Sequence, residues 1–124
     1  MLDVTEEQVH APGDVIVRSG QEADGVFLIL EGTARAVYLA EGAPESRLAV
    51  VDLAGPGRIF GVTPALDGEP YLAQLEAVSR TRTAFATRQA FWDELDNHPE
   101  MARQLLVQMA GLIRKTERWL IATL

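Results

Sequence analysis

The sequence contains no cysteine, and its two histidines, His10 and His98, lie far apart along the chain. Without cysteine there can be no disulfide framework, no thiolate nucleophile and no sulfur-ligated metal site. Two separated histidines do not provide the clustered ligands that zinc or iron requires. We therefore expect no metal site and no tightly held cofactor.

Positive charge is also scarce: the chain has 11 basic and 18 acidic residues, which gives it a net charge of −7. A nucleic-acid-binding surface needs basic residues that displace counterions from the phosphates. The basic residues that do occur late in the chain, Arg103, Arg114, Lys115 and Arg118, are typical of the solvated face of a helix. Direct nucleic-acid binding by this chain is therefore not expected.

Long hydrophobic runs are missing as well: the longest, such as "VFLIL", have about five residues, whereas a membrane-spanning helix needs roughly twenty. The acidic start, "MLDVTEEQVH", lacks the apolar core of a secretory signal. These features predict a cytoplasmic protein that does not bind membranes. With 124 residues, of which 48% are apolar, the chain is expected to form one domain, residues 1–124.

Catalytic constellations are equally absent. Asp93 and Glu94 are adjacent, and adjacent residues on a helix point in different directions. None of the serines lies in a G-x-S-x-G elbow or in a context that indicates a triad. We predict no catalytic residues and no enzymatic activity.

Short β-branched and aromatic segments fill the first part of the chain. They are "DVIVRSG", "GVFLIL", "TARAVYLA", "RLAVVDL" and "YLAQLEAV", and their composition and spacing favour strands. Turns are indicated by "PGD" at 12–14 and "GPG" at 55–57, and Glu31-Gly32 predicts a tight hairpin. The pattern predicts a mainly β fold, an antiparallel sandwich or barrel over about residues 9–88.

From Gln89 onward the hydrophobic period changes to that of helices. A short helix is predicted over 89–97 and a long C-terminal helix over 98–124. Pro99 suits a first helical position, with Asn97 or His98 as the cap.

The long helix carries two apolar stripes. The first has heptad spacing and consists of Leu105, Met109, Leu112, Thr116 and Trp119. The second consists of Leu106, Ala110, Ile113, Leu120 and Leu124. A helix of this length extends nearly 40 Å, at about 1.5 Å per residue, which is more than a small barrel can cover. We therefore expect a homodimer with the first stripe at its interface; packing of both stripes on the parent domain is the alternative.

The order of these features resembles the cyclic nucleotide-binding domain. The resemblance runs from "APGDVIVRSGQEADGVFLILEGTARAV" through "FGVTPALDGEP", "FWDEL" and "HPE" to "QMAGLIRKTERWL". This domain is shared by catabolite activator protein-like regulators, kinase regulatory subunits and cyclic-nucleotide-gated channels. The resemblance implies a jelly-roll β-roll followed by a long C-terminal helix.

The same resemblance identifies residues 60–77 as the phosphate-binding cassette, which in nucleotide-binding members typically contains G-E-Φ-A-L and P-R-[SA]-A. In those members the glutamate accepts a hydrogen bond from the ribose and the arginine pairs with the cyclic phosphate. Here Gly61 is kept, but Val62 replaces the glutamate, Tyr71 the arginine and Leu72 the small residue. Loss of both polar groups removes about 3–6 kcal/mol, or roughly 10²–10⁴ in affinity.

Part of the cassette frame remains in the sequence. The residues expected to line a degenerate ligand pocket are Phe60, Gly61, Val62, Thr63, Pro64, Ala65, Leu66, Tyr71, Leu72, Ala73 and Thr116. Thr63 is expected to cap a helix that Pro64 begins, and the N–H groups of Ala65 and Leu66 to face an anion.

Several alternatives stay open for these side chains. Tyr71 is expected to project into the space left by the arginine, which Val62 and Leu72 make apolar. Such a pocket would suit a less charged, more apolar ligand, or it would be filled by its own side chains. Arg58 is a candidate replacement cation. The resemblance places Thr116 where a hydroxyl reaches the purine base, although its position in the stripe explains it equally well.

Three functions follow from these observations. The first is a dimeric regulatory sensor whose binding of cyclic AMP or cyclic GMP is weak, altered or absent. The second is a ligand-free dimeric protein-interaction module. The third is a metal-dependent cupin-like enzyme, which the histidine content disfavours. Because no winged helix-turn-helix follows the long helix in this sequence, we expect the output to pass to an unidentified protein partner.

Overall fold

The computed structural model of the chain describes residues 6–39 and 48–124. These residues form two compact units: a strand unit that extends to Phe91 and a helical unit from Trp92 to Leu124. The predicted strand ends at Ala40 and Arg47 lie outside the described residues.

The strand unit contains two four-stranded antiparallel sheets, as the sequence predicts. Its strands are β1 (Glu6–His10), β2 (Val15–Val17), β3 (Gly25–Glu31), β4 (Ala34–Leu39), β5 (Leu48–Ala54), β6 (Ile59–Phe60), β7 (Gln74–Ala77) and β8 (Thr81–Thr87). One sheet has the order β1-β8-β3-β6 and the other β2-β7-β4-β5. This is the predicted jelly-roll arrangement.

Side chains from both sheets form one hydrophobic cluster. Its buried members are Val17, Ile29, Ala34, Ala54, Tyr71 and Leu75. Phe27 and Phe60 of the first sheet pack against this cluster, and the Phe27 ring also contacts Phe85 across the β3–β8 pair, with centroids 5.0 Å apart. The core therefore lies between the two sheets, where apolar burial stabilises their packing.

The predicted hairpin at Glu31-Gly32 is wrong. β3 and β4 belong to different sheets, so the segment between them carries the chain from one sheet to the other. The Thr33 carbonyl accepts hydrogen bonds from the amides of Val78 and Ser79, which fixes this crossing. A tight turn between two apolar runs does not by itself show that the runs pair with each other.

The described residues also form three helices: α1 (Val62–Asp67), α2 (Arg88–Asn97) and α3 (Pro99–Ala122). The two C-terminal helices agree with the predicted segments to within two residues at each end. His98 is the N-cap residue of α3 and Pro99 its first residue, as predicted, although His98 makes no side-chain capping hydrogen bond.

A histidine at the end of β1 lies partly buried against the neighbouring strand β8. The His10 Nε2 atom lies 2.9 Å from the Thr83 hydroxyl of β8. Burial lowers the pKa of His10 below its ordinary value of 6.5, and the negative charge of Asp14 opposes this shift. The unfolded chain therefore takes up the His10 proton at a higher pH than the folded chain does.

We expect His10 to contribute stability above about pH 6.5 that is lost as the pH falls through its lowered folded-state pKa. The urea midpoint should decrease between about pH 7.5 and 5.5, a window that lies above the ordinary titration range of carboxylates. In the variant His10→Gln, which has no titrating imidazole here, this decrease should become smaller. An equal decrease in both proteins would show that His10 is not responsible.

Candidate functional site

Gly61 connects β6 to α1 in a conformation that only glycine adopts readily. Its φ is 97°, in the left-handed region. A Cβ atom at this position would also lie 3.0 Å from Cε1 of Tyr71 and 3.1 Å from the Gly25 carbonyl oxygen. Gly61 therefore allows the turn and the close approach of Tyr71 to the start of β3.

The helix that follows differs from the expected cassette helix at its N-terminus. α1 begins at Val62 with Gly61 as the N-cap, and the predicted Thr63 cap is wrong because no side chain caps this end. Thr63 is exposed. The Ala65 amide donates to the Gly61 carbonyl oxygen at 3.0 Å, so this donor, which was expected to face an anion, is already used within the helix.

Tyr71, which the resemblance places at the position of an arginine, is part of the core. Its side chain is only 2% exposed, and its hydroxyl donates to the Gly25 carbonyl oxygen at 2.5 Å. Its ring stacks on Phe60 with centroids 5.8 Å apart and 22° between the planes. Burial raises the pKa of the Tyr71 phenol above its ordinary value, and the negative charge of Asp24 acts in the same direction, so this side chain is a neutral donor at physiological pH.

Backbone hydrogen bonds also join Tyr71 to the segment at residues 20–21. The Gly20 amide donates to the Tyr71 carbonyl oxygen at 2.7 Å, and the Tyr71 amide donates to the Gln21 carbonyl oxygen at 3.1 Å. Hydrogen bonds therefore fix both the side chain and the backbone of Tyr71 within the strand unit.

The neighbouring cassette residues divide between the interior and the surface. Ala65 and Ala73 are buried, and Phe60, Val62, Pro64 and Leu66 are half-buried. Leu72 differs from the expectation that it lines an apolar pocket, because its side chain is 75% exposed. The inward residues of this extended segment alternate with outward ones, as Tyr71, Leu72 and Ala73 show.

Arg58, the candidate replacement cation, already has an acidic partner. Its Nη2 atom lies 3.1 Å from Oδ2 of Asp52, and both side chains are partly exposed. The turn at "GPG" brings them together, with the Arg58 amide donating to the Gly55 carbonyl oxygen. An incoming phosphate would have to compete with the Asp52 carboxylate for this guanidinium.

The predicted site residues of the long helix belong to the helical unit. Thr116 is exposed, and its hydroxyl donates to the Leu112 carbonyl oxygen one turn earlier at 2.9 Å. Of the predicted interface stripe, Leu105 is 8% exposed, while Leu112 and Trp119 are exposed. Every residue from Ala110 to Leu124 is exposed, so this half of α3 presents apolar side chains to solvent.

Two residues that contribute to the cassette were missed in the sequence. Gly25 accepts the Tyr71 hydrogen bond, and Arg88 donates from Nε to the Ala65 carbonyl oxygen at 2.7 Å. Both contacts join residues more than twenty positions apart, and no local pattern signals them.

The described residues contain no group of three or more histidine, cysteine or acidic side chains that could hold a metal ion. Within the same part of the chain, no helix has both the length and the apolar content needed to cross a bilayer.

Residues 7–98 match the family model of the cyclic nucleotide-binding domain, and the chain belongs to this family. It is 33% identical over 110 residues to the HTH-type transcriptional regulator Cmr of Mycobacterium tuberculosis, an alignment covering 89% of this chain and 43% of that protein. It is also 32% identical over 114 residues to lysophospholipase nte1 of Aspergillus fumigatus, covering 92% of this chain and 7% of that protein. The matched domain is thus a regulatory module found within larger proteins of different kinds.

The fold agrees with that of a solved regulator. The catabolite activator protein of Thermus thermophilus superposes with a TM-score of 0.79 at 24% identity, covering 93% of this chain and 53% of that protein. The chain spans less than half the length of the curated relatives named above.

Proposed function

We propose that this chain is a dimeric regulatory domain whose cassette no longer holds cyclic AMP or cyclic GMP firmly. The observation that carries the proposal is the position of Tyr71. The resemblance aligns Tyr71 with the phosphate-binding arginine of the family's motif, and the Tyr71 side chain is buried, stacked on Phe60 and hydrogen-bonded to Gly25. The side chain that should bind the ligand instead completes the hydrophobic core.

The other polar groups that would contact a nucleotide are missing or already have a partner within the protein. Val62 offers no acceptor for a ribose hydroxyl, the Ala65 amide is bonded to Gly61, and Arg58 is paired with Asp52. An anion that enters the protein without such partners loses its hydration without compensation. A family member that binds with micromolar affinity would fall to around millimolar affinity after a loss of about 3–6 kcal/mol.

The buried Tyr71 favours the second function, a ligand-free interaction module, over a sensor with an altered ligand. To admit a ligand, the protein would have to break the Tyr71–Gly25 hydrogen bond and separate the Phe60–Tyr71 stack. We therefore propose that the domain acts chiefly through its surfaces, and that it transmits its signal to another protein.

We also propose that α3 forms the homodimer interface. Leu112, Thr116 and Trp119 of the predicted stripe are exposed, and so are Leu106, Ile113 and Leu120 of the second stripe. Burying these apolar side chains against a second copy would stabilise a symmetric dimer. Since Leu105 is largely buried within the single chain, the second stripe has the larger share of available apolar surface.

Isothermal titration tests the cassette directly. We expect no heat from cyclic AMP or cyclic GMP at micromolar ligand, and at most weak binding as the concentration approaches about 1 mM. Saturable binding at micromolar concentration would contradict the proposal, because it would require a phosphate site that does not depend on the lost guanidinium. A control titration with a cyclic nucleotide-binding member of the family that keeps the cassette glutamate and arginine verifies the ligand and the instrument.

A further inference from the structure

Arg88, the first residue of α2, contacts two segments of the cassette region at once. Its amide donates to the Asp24 carbonyl oxygen at 3.0 Å, next to Gly25, whose carbonyl accepts from Tyr71. Its side-chain Nε donates to the Ala65 carbonyl oxygen of α1 at 2.7 Å. All of these residues belong to the strand unit.

The guanidinium lies at the C-terminal end of α1. A Cβ atom at Gly68, the C-cap residue, would be 3.2 Å from Nη2 of Arg88 and 3.5 Å from Nη1. The carbonyl oxygens at this end carry the negative partial charge of the helix, so a cation there is favourable. The Nε–H···O contact is also charge-assisted and therefore stronger than a neutral hydrogen bond.

α1 needs such support because it has only six residues. An isolated helix of this length is unstable in water, since nucleation fixes several residues for few hydrogen bonds. At its N-terminal end, Gly61 lies against Tyr71 and the Gly25 carbonyl oxygen. At its C-terminal end, Arg88 donates to the Ala65 carbonyl oxygen, and the Asp67 carboxylate accepts a hydrogen bond from the Glu69 amide.

We propose that Arg88 is a positioning residue that couples α1 to the first turn of α2, and that together with Tyr71 it holds the cassette in one closed state. A displacement of α1 must either break the Arg88–Ala65 hydrogen bond or pull on the residue that begins α2. The inference rests on the proposed function only in treating α1 as the cassette helix.

Hydrogen–deuterium exchange on the full chain without ligand tests the closed state. The variant Arg88→Ala should increase exchange in residues 62–69 by roughly 10- to 100-fold, as expected for the loss of a charge-assisted hydrogen bond. Arg80→Ala is the matched control, because Arg80 and Arg88 flank β8 at its two ends. Unchanged exchange in 62–69 for Arg88→Ala, or an equal increase for Arg80→Ala, would overturn the proposal.

A second variant separates coupling from simple loss of stability. Ala at position 68 is strained at a φ of 78° and directs its Cβ toward the Arg88 guanidinium. We expect Gly68→Ala to increase exchange in residues 88–91 when Arg88 is present, and to add little when Arg88 is replaced by Ala. Equal effects in both backgrounds would show that no coupling passes through Arg88. If Arg88→Ala unfolds, a failure of Gly68→Ala alone to alter 88–91 still refutes the coupling.

The absence of ligand from these experiments keeps the two proposals distinct. Micromolar binding of cyclic AMP by the unmodified chain would refute the proposed function and leave the exchange results standing. Exchange that does not depend on Arg88 would refute the coupling and leave the titration result standing.

Discussion

The triple variant Val62→Glu/Tyr71→Arg/Leu72→Ala is expected to bind cyclic AMP about 10²–10⁴-fold more tightly than the unmodified chain. These changes restore the glutamate, arginine and small residue that nucleotide-binding members of the family have in the cassette. The frame that would hold them is present, since Gly61 connects β6 to α1 and Ala65 and Ala73 are buried as cassette residues. Isothermal titration of the two proteins measures the gain.

The same variant loses the core contacts of Tyr71, and this cost must be separated from binding. Removing a buried aromatic side chain costs about 3–5 kcal/mol when Ala replaces it, and the Phe60 stack and the Gly25 hydrogen bond disappear with it. Saturating ligand that binds the folded state offsets part of this loss. A thermal melt with and without cyclic AMP should therefore show a larger ligand-dependent shift for the triple variant than for the unmodified chain.

Tyr71→Leu, combined with the same two other changes, is the matched control for the charge. Both replacements open the position held by Tyr71, but only Arg supplies a guanidinium for the phosphate. If the Leu variant gained as much affinity as the Arg variant, the weak binding of the unmodified chain would be explained by the buried Tyr71 ring and not by the missing cation. A folded triple variant with no gain would show that the cassette frame itself no longer fits a cyclic nucleotide.

The sequence predicted the elements with strong local patterns and missed those whose identity depends on pairing. β2, β4 and β7 lie within the predicted β-branched and aromatic stretches, and β3 and β5 each extend one residue beyond theirs. β8, with the sequence "TRTAFAT", was not predicted, although it pairs with both β1 and β3. Two alanines and an arginine dilute the strand preference of its threonines and phenylalanine, and its central position comes from neighbours distant in sequence.

The assignment of strands to sheets was likewise beyond local reasoning. Glu31-Gly32 has the composition of a hairpin turn, yet the strands on its two sides pair in different sheets. The hydrogen bonds that fix this crossing run from the amides of Val78 and Ser79 to the Thr33 carbonyl oxygen, and they join segments about 45 positions apart. Turn chemistry specifies where the chain bends but not which strand it meets next.

For the cassette, the sequence identified which residues are present but did not predict where their side chains point. The resemblance to the family's motif predicts that Val62 and Tyr71 replace polar residues. It did not reveal that the Tyr71 hydroxyl finds an acceptor in Gly25, nor that Leu72 faces solvent. The second point was accessible in principle, because neighbouring residues of an extended segment point to opposite sides. The first depends on a tertiary contact that no spacing rule contains.

Ile113→Glu is expected to convert a dimer of the chain into a monomer of 13.6 kDa in sedimentation. The Ile113 side chain is 58% exposed in the single chain and belongs to the second apolar stripe. In a two-fold dimer one substitution places two carboxylates in the interface. Burying an unpaired charge costs several kcal/mol, so the dimer should weaken by at least about 10²-fold.

Leu112→Glu and Gln104→Glu, which introduce the same change in charge at other positions of α3, identify the face that dimerises. The two stripes are offset by one residue, about 100° around the helix axis. If the first stripe forms the seam, Leu112→Glu should dissociate the dimer more strongly than Ile113→Glu, and the reverse order assigns the seam to the second stripe. Gln104→Glu changes a polar exposed residue and should leave the mass unchanged. Sedimentation of the unmodified chain as a monomer at about 100 μM, a concentration well above the Kd of ordinary stable dimers, would remove self-association from the proposed function and leave the exposed stripes of α3 to another protein.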